Sequence, residues 1–146
     1  MISFELGILI DRPVEDVFAF ISNPMNLPKW QSMVAKVEPV SSGPVGVGSK
    51  FKLNTEVMGR KMEGVLEITD FDPSEKFGFK NVAGPVKVNA LASFKTVGTA
   101  TRLNLTGQGE PGGMFKLAEG VLAKQVKGQM EDNLKRLKSV LESGAK

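Results

Sequence analysis

An α+β fold is what the 146-residue sequence predicts, with a curved seven-stranded antiparallel sheet, two short helices near its start and one long C-terminal helix. Three observations carry this. Ile2, Phe4, Leu6, Ile8 and Ile10 alternate along the first segment, the period of a strand. Between 32 and 108, short alternating runs follow one another through short turns, the mark of an antiparallel meander. From Met114 to about Glu142 the apolar residues fall at helical spacing instead.

After the first strand, "DRPVEDVFAFI" changes period. Pro13 suits a first helical turn, Glu15 and Asp16 suit its positive end, and Asp11 or Arg12 stands at the cap. Val14, Val17, Phe18 and Ile21 give that helix one apolar face. "SNPMNLPKW" has two prolines, which allow only a short helix or turn, and ends at Trp30, the sole tryptophan. Strands are then expected over 33–40 and over Phe51, Leu53, Thr55 and Val57. "MGR" makes a hairpin turn, after which Met62, Gly64, Leu66 and Ile68 share a face. "FDPSEK" reads as a turn before Phe77 and Phe79. "VAGPV" turns into Val86, Val88, Ala90, Ala92 and Phe94, and "TVGTA" leads to Leu103 and Leu105. "GEPGG" breaks the sheet. The last helix spans ~42 Å, enough to cross it. On a helical wheel Phe115, Leu122, Val126, Met130, Leu134, Leu137, Val140 and Leu141 lie within a ~120° arc. Lys124, Lys127, Glu131, Lys135 and Lys138 lie opposite.

Composition excludes several chemistries. The chain has no Cys and no His, and Tyr is also missing. Ser-His-Asp and Cys-His catalysis are therefore excluded, with disulfides and His- or Cys-ligated metals. Acid-base work would fall to Asp, Glu, Lys or Arg in shifted environments. No metal and no cofactor is expected. The net charge of +3 and the scattered basic residues, "KRLK" included, argue against nucleic acid. The first ten residues lack a basic leader and contain Glu5, and no apolar run approaches the ~18 residues of a membrane span. One cytoplasmic domain over 1–146 is expected, with a homodimer left open.

The order of elements, with "PVEDVFAFISNPMNLPKWQSMV", "GPVGVGSKF", "ITDFDPSEKFGF" and "GEPGGMFKLAEGVLAKQVKGQMEDNLKRLKSVLES", resembles the helix-grip fold of the START-like (SRPBCC) superfamily. That superfamily includes polyketide cyclase/dehydrase, lipid-transfer and Bet v 1-like families. The resemblance covers essentially the whole chain. The last segment is also similar to a component of carbon monoxide dehydrogenase, a relative implicated in assembly and membrane association. The superfamily fold implies a space between sheet and long helix, and it hosts more than one activity.

"SSGPVGVGSKF" crowds Gly43, Gly46 and Gly48 beside Pro44, as a phosphate-binding loop would. Such loops open a helix, whose N-terminal N–H groups hold the anion. Here an alternating strand follows, so the expectation is a stiffened turn with φ > 0 at glycines. The resemblance places it at the cavity mouth, as a candidate gate.

The expected lining is apolar. The sheet contributes Phe51, Leu53, Thr55, Val57, Met62, Leu66, Phe77, Phe79, Val88 and Phe94; the long helix contributes Phe115, Leu122 and Val126; Trp30 stands near the entrance or joins the short helices to the sheet. For any one of these, plain core is the alternative. Such a lining selects a small hydrophobic molecule such as a lipid, polyketide or aromatic. Glu119 interrupts the apolar arc, and Asn133 does so more mildly. Glu119 has two readings, a cavity carboxylate able to move a proton or a charge at the positive helix end reaching past the sheet edge. Three functions follow: a carrier of a hydrophobic ligand, a polyketide cyclase/dehydrase using Glu119 with Asn133 or Thr55, or an assembly factor docking through its long helix. The missing His and Tyr favour the carrier, and the mixed charge of the outer helix face counts against the assembly factor.

Overall fold

The computed structural model describes residues 2–32, 34–57, 59–83, 87–110 and 119–143. Its strands are β1 (Ile2–Ile10), β2 (Val34–Pro39), β3 (Lys50–Val57), β4 (Arg60–Asp72), β5 (Lys76–Ala83), β6 (Lys87–Val97) and β7 (Ala100–Glu110). Helices α1 (Val14–Ile21) and α2 (Leu27–Trp30), separated by a 3₁₀ turn at Pro24–Asn26, join β1 to β2, and α3 covers Glu119–Glu142. The strands form one antiparallel sheet in the order β1-β7-β6-β5-β4-β3-β2. Only the step from β1 to β2 leaves the meander, and the two short helices carry it across the sheet.

Helix α1 starts one residue later than a cap at Asp11 or Arg12 would place it, because Pro13, with extended backbone, is its N-cap and no side chain caps it. The freed Arg12 turns to α3 instead, donating from Nη1 to the Leu141 carbonyl at 2.6 Å and from Nη2 to Asp16 at 2.7 Å. A guanidinium on a last-turn carbonyl satisfies an orphan acceptor at the negative helix end. Phe71, expected in a turn, belongs to β4. The register shift between Ile68 and Asp70 brings Phe71 opposite Phe77, on the same face as Ile68. The extra residue sends both Thr69 and Asp70 outward, where the Thr69 hydroxyl donates to Asp70 at 2.8 Å.

The core lies between the inner sheet face, α1 and the C-terminal half of α3. Ile10, Val17, Ile68, Leu103, Leu137 and Leu141 are essentially fully buried. Phe18 of α1 stands edge-on to Phe71 at 5.4 Å and to Phe94 at 5.2 Å, stapling the helix to β4 and β6. On α3, Met130, Leu134, Leu137 and Leu141 are buried, as the apolar arc predicts, while Lys124, Lys127, Glu131 and Lys135 are exposed. Lys138 departs from that set, since its ammonium bridges the Leu9 carbonyl at 2.8 Å and Glu142 at 2.5 Å.

Candidate functional site

Antiparallel register fixes which side chains share the inner face. Opposite pairs Phe51–Leu66, Thr55–Met62, Ile68–Phe79, Phe79–Ala90 and Ala90–Gly107 run across the strands, and Gly107 faces Phe4 on β1. The sheet thus gathers the predicted residues of five strands onto one apolar surface. Their burial is not uniform. Toward α1, the face is closed by Ile68, Phe77, Ala92, Phe94 and Leu103. Toward the start of β1 and β4, Phe4, Leu6, Thr55, Met62, Gly64, Phe79, Val88 and Ala90 are only half-buried. A side chain with almost no accessible surface touches no water-sized space, so Leu66, at 1 % exposure, packs as core, and the half-buried set forms the open part. Phe51, Leu53 and Phe77 stand at the boundary, buried but beside the open set. The rings of Phe71, Phe77 and Phe79 step from one region to the other, at 6.3 and then 6.4 Å. At Gly107 the Phe4 ring lies so close that a Cβ would collide with it, so glycine there lets the ring lie against the sheet.

The remaining predicted positions divide as follows. Trp30 is buried and joins α2 to the core. Phe115 and the side chains of Val57, Glu119, Leu122 and Val126 lie outside the described residues. In the glycine loop Gly43 and Gly48 take φ of 91° and 90°, whereas Gly46 needs no positive φ. The loop is tied to the sheet at its C-terminal side, where the Gly48 N–H donates to the Ile68 carbonyl at 2.9 Å and the Ile68 N–H to the Ser49 carbonyl at 3.0 Å. Val45 packs inward and Val47 is exposed. The loop leads into β3, and no helix follows it.

Asn133 resolves as a structural group. Its Oδ1 accepts from the Ser32 N–H and hydroxyl, both at 3.2 Å, and its Nδ2 donates to Gln31 Oε1 at 2.6 Å. Gln129 also donates to the Ser32 hydroxyl. These bonds satisfy a fully buried amide and tie α3 to the segment entering β2. Asn81, absent from the expected lining, belongs there by register, opposite Leu66 and two residues beyond Phe79. The alternation Phe77, Phe79, Asn81 was the available signal.

Charge is kept off this face. Every described inner-face position of the seven strands is uncharged. Glu63 and Glu67 lie outward, as expected, but their cations are Lys52 at 3.4 Å and Lys50 at 4.0 Å rather than Arg60, Arg102 or Lys80, because β3 is the strand beside them. The Glu142 carboxyl is held below its ordinary value, chiefly by the hydrogen bond from Lys138 and then by the Asp11 N–H at 2.8 Å. Among the described residues no group of three Asp or Glu side chains could hold a metal. No described helix is long and apolar enough to cross a membrane.

A curved antiparallel sheet gripping one long helix, with an apolar face left half-open at one end, defines a helix-grip protein. The family model for polyketide cyclase/dehydrase and lipid transport matches residues 1–142, and the chain belongs to that family. Among solved structures, the chain is similar to the Zhui aromatase/cyclase from Streptomyces sp. R1128, at 16% identity and TM-score 0.79, covering 99% of this chain and 98% of that one. It is similar to a START superfamily protein from Mycobacterium smegmatis, at 16% identity and TM-score 0.78, covering 98% and 99%. A conserved protein from Geobacillus kaustophilus gives 20% identity and TM-score 0.79, covering 97% and 95%. At these identities the likeness is one of fold. No curated protein sequence matches the chain.

Proposed function

We propose that the protein binds a small hydrophobic molecule against the half-open part of its inner sheet face. The observation that carries this is the combination of apolar character and incomplete burial at Phe4, Leu6, Met62, Phe79, Val88 and Ala90. Apolar surface left facing a recess gains free energy when a ligand covers it, ~25 cal/mol per Å². Membership of a family described by polyketide cyclase/dehydrase and lipid transport supports the same class of ligand. Native mass spectrometry of the purified protein, followed by extraction, tests this. A bound lipid-like or aromatic molecule supports it; a protein that arrives empty and takes up no added apolar probe contradicts it.

A cyclase or dehydrase activity is the second function, favoured by the family description and by the aromatase/cyclase among the similar structures. It rests on Glu119 as the proton-transferring group, now without Asn133, whose amide is already satisfied. Unchanged turnover of a polyketide substrate in Glu119→Gln would remove that role.

A further inference from the structure

We infer that Asn81 sets the class of ligand: an apolar molecule bearing a neutral hydrogen-bonding oxygen, such as a phenol, alcohol or ketone, in preference to a carboxylate or a bare hydrocarbon. The inference rests on the hydrophobic-ligand function proposed above and sharpens it.

Two independent registers place the side chain. Asn81 is opposite Leu66, and Phe79, two residues before it, is opposite Ile68. Leu66 and Ile68 are buried inner-face residues, and side chains directly opposite one another share a face. Asn81 therefore faces the same recess, and it is half-buried, at the open end of that face. Its surroundings on the face are apolar or small: Leu66 across the strand pair, Phe79 beside it, and Gly64 two residues before Leu66 on β4. Gly64 brings no side chain, which leaves room next to the amide. Thr55 supplies the second polar group of this end, its hydroxyl reaching the Met62 carbonyl only at 3.5 Å, the long limit of a hydrogen bond.

An amide offers two donors and two acceptor positions. Asn81 already interacts within the protein, and this capacity lets it serve a ligand oxygen as well. An ionised ligand fares worse. Among the described residues no Lys or Arg stands on the inner face, so a carboxylate would lose its hydration without gaining a cation. A hydrocarbon would cover the amide and leave it with fewer partners than water gives it.

Titrating ¹⁵N-labelled protein with naphthalene, 2-naphthol and 2-naphthoate, followed by NMR, separates these cases. The expected order is 2-naphthol tightest, roughly five- to tenfold over naphthalene, the size of a neutral hydrogen bond, with 2-naphthoate weakest. Asn81→Leu should keep naphthalene binding and lose the preference for the hydroxyl. Asn81→Asp, closer in size, should keep 2-naphthol binding and weaken 2-naphthoate further. A preference that survives in Asn81→Leu, or 2-naphthoate binding as tightly as 2-naphthol, overturns the role of Asn81 while leaving the cavity function standing. If none of the three probes binds the wild type, the cavity function fails and this inference with it.

Discussion

The two ends of the inner sheet face are built from similar residues and closed to different degrees. Toward α1, Ile10, Leu103, Phe94 and Phe77 are covered by Phe18 and by the last turns of α3, and a collar of polar contacts locks the lid down. Arg12 holds the Leu141 carbonyl, Lys138 the Leu9 carbonyl, and Glu142 the Asp11 N–H. Toward the other end, equally apolar Phe4, Met62, Phe79 and Ala90 keep part of their surface. Hydrophobicity alone thus does not distinguish core from site here. The distinction lies in which apolar residues have a partner pinned over them.

The largest expected contrast is between Leu137→Ala and Phe79→Ala. Leu137 has no exposed surface, so its truncation leaves a cavity and costs ~2–5 kcal/mol by chemical denaturation, with probe affinity little changed. Phe79→Ala should cost less stability than Leu137→Ala and alter naphthalene binding. The reverse pattern would break the distinction between the two ends. Next in size, Asn133→Ala removes the amide that serves Ser32 and Gln31, and should cost ~1–3 kcal/mol without affecting ligand preference. A loss of binding selectivity there would instead return Asn133 to the site. Gly48→Ala places a side chain at φ 90° and should cost ~1–2 kcal/mol, read in the same denaturation experiment.

The smallest effect concerns pH. The folded-state value of Glu142 is depressed by Lys138 and the Asp11 N–H, so its contribution to stability is present above the unfolded carboxylate value. It is lost as pH falls through the lower, folded-state value. Glu142→Gln should therefore be less stable than the wild type at neutral pH and lie closer to it in acid, with a flatter profile of denaturation midpoint against pH. Parallel profiles would mean that the clamp at the end of α3 adds no stability.

Local patterns made most of the fold legible. Alternation located the strands, Pro13 and the paired acids located α1, and the apolar arc of α3 chose the face that is buried wherever it is described. The departures come from long-range partners. The bulge at Thr69 and Asp70 changes the phase of β4, so Phe71 points inward although its spacing from Ile68 is wrong for a plain strand. Asn133 breaks the apolar arc and resembles a site residue in the sequence, but its partners Gln31 and Ser32 lie a hundred residues away. Asn81 shows the opposite case. Its phase was readable, and its polarity hid it in a strand otherwise recognised by phenylalanines.

Chemical-shift mapping with naphthalene tests the central claim most directly, because one apolar probe meets both ends of the face at once. Saturable shifts should cluster on the amides of Phe4, Met62, Phe79 and Ala90 and spare Ile10, Leu103 and Leu137. Shifts centred on that second group, or none that saturate, would contradict a binding site at the half-open end.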